Sequence, residues 1–281
     1  MNYNISSNYL SDPFLKELLG ELIDFFNSTN TKFFIIGATA RDIILDYYGH
    51  KSPRATRDLD VAVAIDKWNQ YANIQKELLK RKWFTKDNSQ KQRFYYKNIY
   101  PLDIVPFGEI MNEDDKIFWP AEYDTAMSVL GFPEVNKATK TVCIDDNLTV
   151  RIADLAGIFL LKTVAWRERH SNDNRDASDL GFILNNYFSI NENRIYKNFL
   201  ELFQRDDFDI TSAGAFVLGT DLSQIIMDSY STKQKVIAIF EKELQLKEES
   251  SLMNQIIETN RNFKYELTFK CIQNIIKGLQ E

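Results

Sequence analysis

Apolar positions recur along this chain in two rhythms, short β-rich runs among helical stretches up to Ile152 and a sustained helical spacing from Ala153 onward. Ser11-Asp12-Pro13 offers an N-cap with a proline at an early helical position. Phe14, Leu18, Leu19, Leu22, Ile23 and Phe26 then share one face, which predicts an amphipathic helix ending near Asn27. Lys32 to Ile36 reads as a strand entering Gly37, and Thr39 to Tyr48 as a helix that Gly49 closes. Arg57 to Ile65 is the next strand, after which Asp66 caps a helix running to Arg81. Gln92 to Tyr96 and Tyr100 to Val105 form a hairpin around Lys97-Asn98-Ile99. Met127 to Phe132, Ala138 to Ile144 and Leu148 to Ile152 continue the β-rich character, punctuated by Gly131, Pro133, Asn136 and Asp145-Asp146-Asn147.

Helical spacing then takes over from Leu155 to Trp166, Ala177 to Tyr187 and Tyr196 to Phe203, with later segments up to Ile276. Lys247-Glu248-Glu249-Ser250-Ser251 reads as a loop with a helix cap. The expected organisation is a mixed α/β domain over residues 1–150 and an all-helical domain over residues 151–281.

At 281 residues and 44% hydrophobic content the chain can bury a sizeable core. A net charge of -6 excludes a globally basic nucleic-acid binder and leaves room for a local basic groove. Cys143 and Cys271 stand far apart without a CxxC, which points away from a disulfide framework and from structural zinc; both read as small buried hydrophobes. No apolar run is long enough to span a membrane and the first residues are polar, so the expected location is cytoplasmic, with no membrane partner.

The candidate chemistry lies in carboxylates. Asp58 and Asp60 are two apart on the expected strand and face the same way, while Leu59, Val61 and Val63 face the core. Asp103 sits on a later strand within Leu102-Asp103-Ile104-Val105. Aspartate in an apolar β context is costly unless it serves a purpose, and three such groups suit one or two Mg²⁺ ions. The bland reading is a set of strand-end or salt-bridged residues. Position favours the metal: a glycine turn precedes the pair and a third carboxylate follows it.

Gly37-Ala38-Thr39-Ala40-Arg41-Asp42, Arg57-Asp58-Leu59-Asp60 and Leu102-Asp103-Ile104-Val105-Pro106 resemble the DNA polymerase β-like nucleotidyltransferase superfamily. Within it, Leu160-Leu161-Lys162-Thr163-Val164-Ala165-Trp166-Arg167 and Arg175-Asp176-Ala177-Ser178-Asp179-Leu180 are similar to the AbiEii/AbiGii toxin-like nucleotidyltransferases, over Phe33 to Phe188. Ala38 stands where a serine or glycine is usual, and Thr39 is the nearest hydroxyl. Arg41 and Asp42 also echo the head of CCA-adding enzymes, whose Arg-Arg-x-x-Asp motif is missing; a structural ion pair on the helix is an equal reading.

The resemblance implies a polymerase β-like core with a mixed sheet, followed by helices. It also implies Mg²⁺-dependent transfer of a nucleoside monophosphate from a nucleoside triphosphate to an acceptor hydroxyl, with release of pyrophosphate. Asp58, Asp60 and Asp103 would be catalytic and hold metal. Gly37, Ala38, Thr39, Arg57, Lys162, Asp176 and Asp179 would bind nucleotide, the two later aspartates contacting it or orienting the lysine. For Lys162 the alternative is a snorkelling side chain beside a capped helix. The implied partners are tRNA or another RNA as acceptor and an antitoxin protein, in a bacterial toxin-antitoxin or phage-defence setting. Lys51, Arg54 and Arg57 could grip phosphates or form a solvated loop. Phe107, Trp119, Tyr123 and Trp166 read as core, His50 and His170 as surface. Two other readings are a small-molecule nucleotidyltransferase of the antibiotic-modifying kind and a non-catalytic nucleotide-binding module.

Overall fold

The computed structural model describes every residue except Met1, Ser11, residues 52–56 and Asp124. Arg54 of the expected basic cluster therefore lies outside the described residues. The chain divides into two compact units, Met1–Asp154 and Leu155–Glu281.

The first unit carries strands β1 (Asn2–Ile5), β2 (Phe33–Ile36), β3 (Leu59–Ile65), β4 (Phe84–Lys86), β5 (Arg93–Tyr96), β6 (Tyr100–Gly108), β7 (Lys116–Phe118), β8 (Ala126–Ser128), β9 (Lys140–Ile144) and β10 (Leu148–Ile152). Its helices are α1 (Pro13–Ser28), α2 (Gly37–Tyr47), α3 (Trp68–Leu78) and α4 (Phe132–Ala138). The main sheet is mixed, in the order β1-β9-β10-β2-β3-β6-β5-β4; β7 and β8 form a separate ribbon. The α/β class with a mixed sheet is thus as expected.

The central strands are buried on both faces: Phe34 and Ile35 in β2, Leu59, Val61, Ala62 and Val63 in β3, and Leu102, Ile104 and Phe107 in β6 are all nearly inaccessible. Such strands read as continuous apolar runs, and an aspartate within one must answer to a partner. The N-cap of α1 is Asp12, whose carboxylate accepts from the Phe14 N–H. The helix buries Leu15, Leu18, Leu19, Leu22, Phe25 and Phe26, and leaves Phe14 on the rim.

Several local readings differ from what forms. The N-cap of α3 is Lys67, and Gln70 Oε1 takes the backbone N–H groups of Asp66 and Lys67. Gly131 and Pro133, read as strand punctuation, start α4: Gly131 has φ +86° and the proline lies in the first turn, where its missing N–H costs nothing. Tyr123 is exposed, whereas Phe107, Trp119 and Trp166 are core. Cys143 is half-buried and Cys271 buried, both as free thiols.

The second unit is helical: α5 (Leu155–Arg169), α6 (Arg175–Ile190), α7 (Glu192–Asn198), α8 (Ile210–Ile225), α9 (Tyr230–Leu246), α10 (Ser251–Thr259) and α11 (Tyr265–Gln280). The run expected from Tyr196 to Phe203 breaks at Phe199 between α7 and a 3₁₀ turn, Leu200–Gln204. Ser250 caps α10 by accepting from the Met253 N–H. His170 is only half-buried but stacks on Trp166, ring centroids 4.6 Å apart. Among the described residues no helix is long and apolar enough to cross a membrane.

Candidate active site

In the first unit the site is built where β2 turns into α2 beside the start of β3. Gly37 has φ +69°, in the left-handed region open chiefly to glycine, and begins α2 directly after Ile36. Ile36 is the N-cap residue of α2 and makes no side-chain cap hydrogen bond to its first backbone N–H groups. A Cβ on Gly37 would stand 2.3 Å from Asp60 Oδ2 and 3.2 Å from its Cγ. The glycine therefore serves two ends, the turn and the space for this carboxylate. Ala38 is half-buried, and the buried Thr39 hydroxyl donates to the Asp58 carbonyl at 2.9 Å. The strand begins only at Leu59, so Asp58 precedes the ladder instead of lying in it, with its carbonyl held by this side chain.

Asp60 is the register partner of Asp103, since β3 and β6 run parallel with Leu59 opposite Leu102 and Asp60 opposite Asp103. Partners in a parallel pair share a face, so the two carboxylates stand on neighbouring strands with their side chains on one side of the sheet. Asp58 joins this field. Burial, then the charges of Asp12, Asp58 and Asp60, push the Tyr100 phenol well above its ordinary range. Hydrogen bonding to Asp103 strengthens the Arg93 guanidinium's hold on its proton, and the Asp58 charge adds to it.

Sequence reasoning passed over Arg93 and Lys86. Arg93 is paired with Asp103 across the antiparallel β5–β6 hairpin, and its Nε and Nη2 donate to Oδ1 and Oδ2 at 2.8 and 2.9 Å. Lys86 Nζ donates to the carbonyls of Gln90 and Arg93, and burial holds its ammonium down to about 8 against the pull of Asp103 and Asp87. The signal for Arg93 was arithmetic: a hairpin turning at Lys97-Asn98 with Tyr96 opposite Tyr100 sets residue 93 opposite residue 103.

The donor set of Asp58, Asp60 and Asp103 is hard carboxylate oxygen, the chemistry Mg²⁺ takes, and the recess that a Gly37 Cβ would fill keeps room at Asp60. In that sense the residues fit a divalent cation. Among the described residues no three His, Cys, Asp or Glu side chains already converge as ligands, and Arg93 covers both oxygens of Asp103. Arg57 and Lys51 are exposed. Arg41 is buried and bound to Asp42 at 2.7 Å, in keeping with an ion pair on α2.

In the second unit α5 and α6 bring Lys162, Asp176 and Asp179 together. Lys162 Nζ lies 2.9 Å from Asp176 Oδ1 and 2.8 Å from Asp179 Oδ2, and Arg169 Nε lies 2.6 Å from Asp176 Oδ2. Both aspartates are almost inaccessible, so the lysine does not snorkel to water; it is held between two carboxylates a helical turn apart. Burial pushes the Lys162 ammonium down, but the charges of Asp179 and Asp176 outweigh it and the net shift is upward. Burial likewise pushes Asp176 up, and the Arg169 hydrogen bond with the Lys162 charge brings it down to about 2.

The family described as "Nucleotidyl transferase AbiEii toxin, Type IV TA system" matches residues 25–261. No curated protein matches the chain. Among solved structures, the solution structure of the antibiotic-resistance factor ANT(2'')-Ia is similar over 56% of this chain and 74% of that one, at 14% identity and a TM-score of 0.33.

Proposed function

The chain belongs to the AbiEii nucleotidyltransferase family, and on that footing we propose that it moves a nucleoside monophosphate from a nucleoside triphosphate to an acceptor hydroxyl, using Asp58, Asp60 and Asp103 to hold one or two Mg²⁺ ions. The observation that carries this reading is the in-register pair Asp60 and Asp103 beside the left-handed Gly37 turn that opens α2. When bound, Mg²⁺ neutralises the triphosphate and makes the acceptor hydroxyl easier to deprotonate. The backbone N–H groups of Gly37 and Ala38, at a helix start whose N-cap residue Ile36 supplies no side-chain acceptor, receive phosphate oxygens. Thr39 ties that turn to the carboxylate segment through the Asp58 carbonyl. Lys162 is assigned to nucleotide phosphate, with Asp176 and Asp179 fixing its ammonium, and Arg57 to phosphate at the exposed approach to β3. Catalysis on this account is positioning and charge stabilisation, with no covalent intermediate required of the protein.

The family's description as a toxin of a toxin-antitoxin system supports an antitoxin as partner, and RNA, tRNA included, is the acceptor class proposed here. The exposed cations Lys51 and Arg57 beside the carboxylate segment are consistent with a polyanionic acceptor. The test is transfer of α-labelled nucleotide to total RNA in the presence of Mg²⁺, with protein and small-molecule fractions run beside it. Label in RNA that is lost in Asp60→Asn supports the reading; label in RNA equal for both chains overturns the site, and label confined to another fraction overturns the acceptor.

A further inference from the structure

The hairpin of β5 and β6 sets a cation against the carboxylates for which the reaction above supplies no task. Arg93 covers both Asp103 oxygens, and the pair is mostly withdrawn from water, with 22% of the arginine side chain and 11% of the aspartate exposed. A forked pair in such surroundings is among the stronger charge-assisted contacts. The backbone under it is pinned: Arg93 N–H donates to the Gln90 carbonyl, and the Arg93 carbonyl accepts from Asp87 N–H and Lys86 Nζ. Asp87 organises the same loop by accepting from Ser89 N–H and Gln90 N–H, and from the Tyr95 hydroxyl. What can move is the side chain, whose guanidinium feels Asp58 as well as Asp103. A divalent cation at these carboxylates would meet a resident positive charge and one carboxylate with both oxygens already engaged.

We propose that Arg93 is the exchangeable counter-ion of Asp103: it neutralises this carboxylate while no divalent cation is bound and yields it when one binds, so guanidinium and metal compete for the same two oxygens. The proposal rests on the reading of Asp58, Asp60 and Asp103 as metal carboxylates. Arg93 acts through Asp103 and is a positioning residue. Its position on β5 also explains how an aspartate buried in a two-sided strand is tolerated in the metal-free chain.

The test is Mn²⁺ affinity of the full chain, read from the electron paramagnetic resonance signal of the free aquo ion without nucleotide. Arg93→Gln is expected to bind Mn²⁺ about tenfold more tightly than the native chain, the scale of one charge-assisted hydrogen bond. Arg93→Lys, which keeps the charge but cannot fork, is expected to fall between the two. In an Asp103→Asn background, the gain from Arg93→Gln is expected to shrink to what the Asp58 charge alone accounts for. Circular dichroism and thermal unfolding establish that each variant is folded; if the glutamine variant is not, the lysine variant decides alone, and it must still bind more tightly than the native chain. Unchanged or weaker binding overturns the proposal, because it makes Arg93 a support that holds Asp103 in place for the ion. A gain that persists undiminished in Asp103→Asn also overturns it, as a general effect of lost positive charge. Asp60→Asn separates the two levels: if it weakens Mn²⁺ binding while Arg93→Gln does not strengthen it, the counter-ion idea alone fails. If Asp60→Asn leaves binding unchanged, the metal reading fails and the counter-ion falls with it.

Discussion

Adding one methyl group at Gly37 tests whether the turn exists for the sake of Asp60. In Gly37→Ala the new Cβ would lie 2.3 Å from Asp60 Oδ2, where ordinary contact begins at 3.4 Å, so the carboxylate must retreat by about 1 Å. Misplacement on that scale costs about 10²-fold in rate when the group holds the reacting centre. The left-handed backbone adds about 1–2 kcal/mol of strain, partly offset by about 0.4–1 kcal/mol from the stiffer unfolded chain. Gly49 supplies the control, because its φ is +79° and nothing lies within 4 Å of an added Cβ. Gly49→Ala therefore carries the backbone strain without the collision. In the labelled-nucleotide assay, with urea unfolding alongside, Gly49→Ala is expected to lose about 1 kcal/mol of stability and keep its rate within about twofold. Gly37→Ala is expected to lose at least as much stability and about 10²-fold in rate. Native activity in Gly37→Ala, or equal losses of activity in both variants, would refute the claim that this glycine makes room for a working carboxylate.

Three further outcomes follow from particular contacts. Lys162→Met leaves Asp176 and Asp179 buried with one cation fewer, so unfolding in urea is expected to cost about 3–5 kcal/mol less, and a change below about 1 kcal/mol would count against the ion-pair geometry. The same network sets a pH dependence. Asp176 is depressed to about 2, so its contribution is complete above the unfolded value of about 3.9 and is lost as pH falls toward 2. Lys162 is raised, so its contribution is complete below about 10.4 and is lost as pH rises through the higher folded value. Urea titrations across both windows check these slopes, and in Asp176→Asn the acid-side slope is expected to shrink. Thr39→Val removes the donor to the Asp58 carbonyl at equal volume, with an expected loss of about 1 kcal/mol in stability and a drop in rate that exceeds any rise in KM; unchanged kinetics would show that Asp58 is positioned by other means.

Much of each unit's cluster of polar residues is legible in the sequence because its parts are local. Gly37, the helix after it and the apolar run after Asp58 are adjacent in sequence, and the Lys162 and Asp176 to Asp179 motifs lie on two consecutive helices. What escaped was what distant pairing decides. Nothing in the residues says that β3 lies beside β6, which is what makes Asp60 and Asp103 partners. β1 pairs with β9 across most of the first unit, and β4 has three residues, too few for an alternation to be seen. The alternation of its neighbours puts Asp58 inside the strand, whereas the ladder begins at Leu59 and the Asp58 carbonyl is held by the Thr39 hydroxyl, a contact between segments. Arg93 could have been counted across the hairpin, but its fork on Asp103 needed the side-chain geometry.

The central claim is that the carboxylates of β3 and β6 carry nucleotidyl transfer. Its most direct measurement is pyrophosphate release coupled to incorporation of α-labelled nucleotide, with Mg²⁺ present, for the native chain and for Asp60→Asn. The account predicts that both products appear together in the native chain and fall by at least about 10²-fold in a variant that is folded. Equal incorporation by the two chains would contradict it.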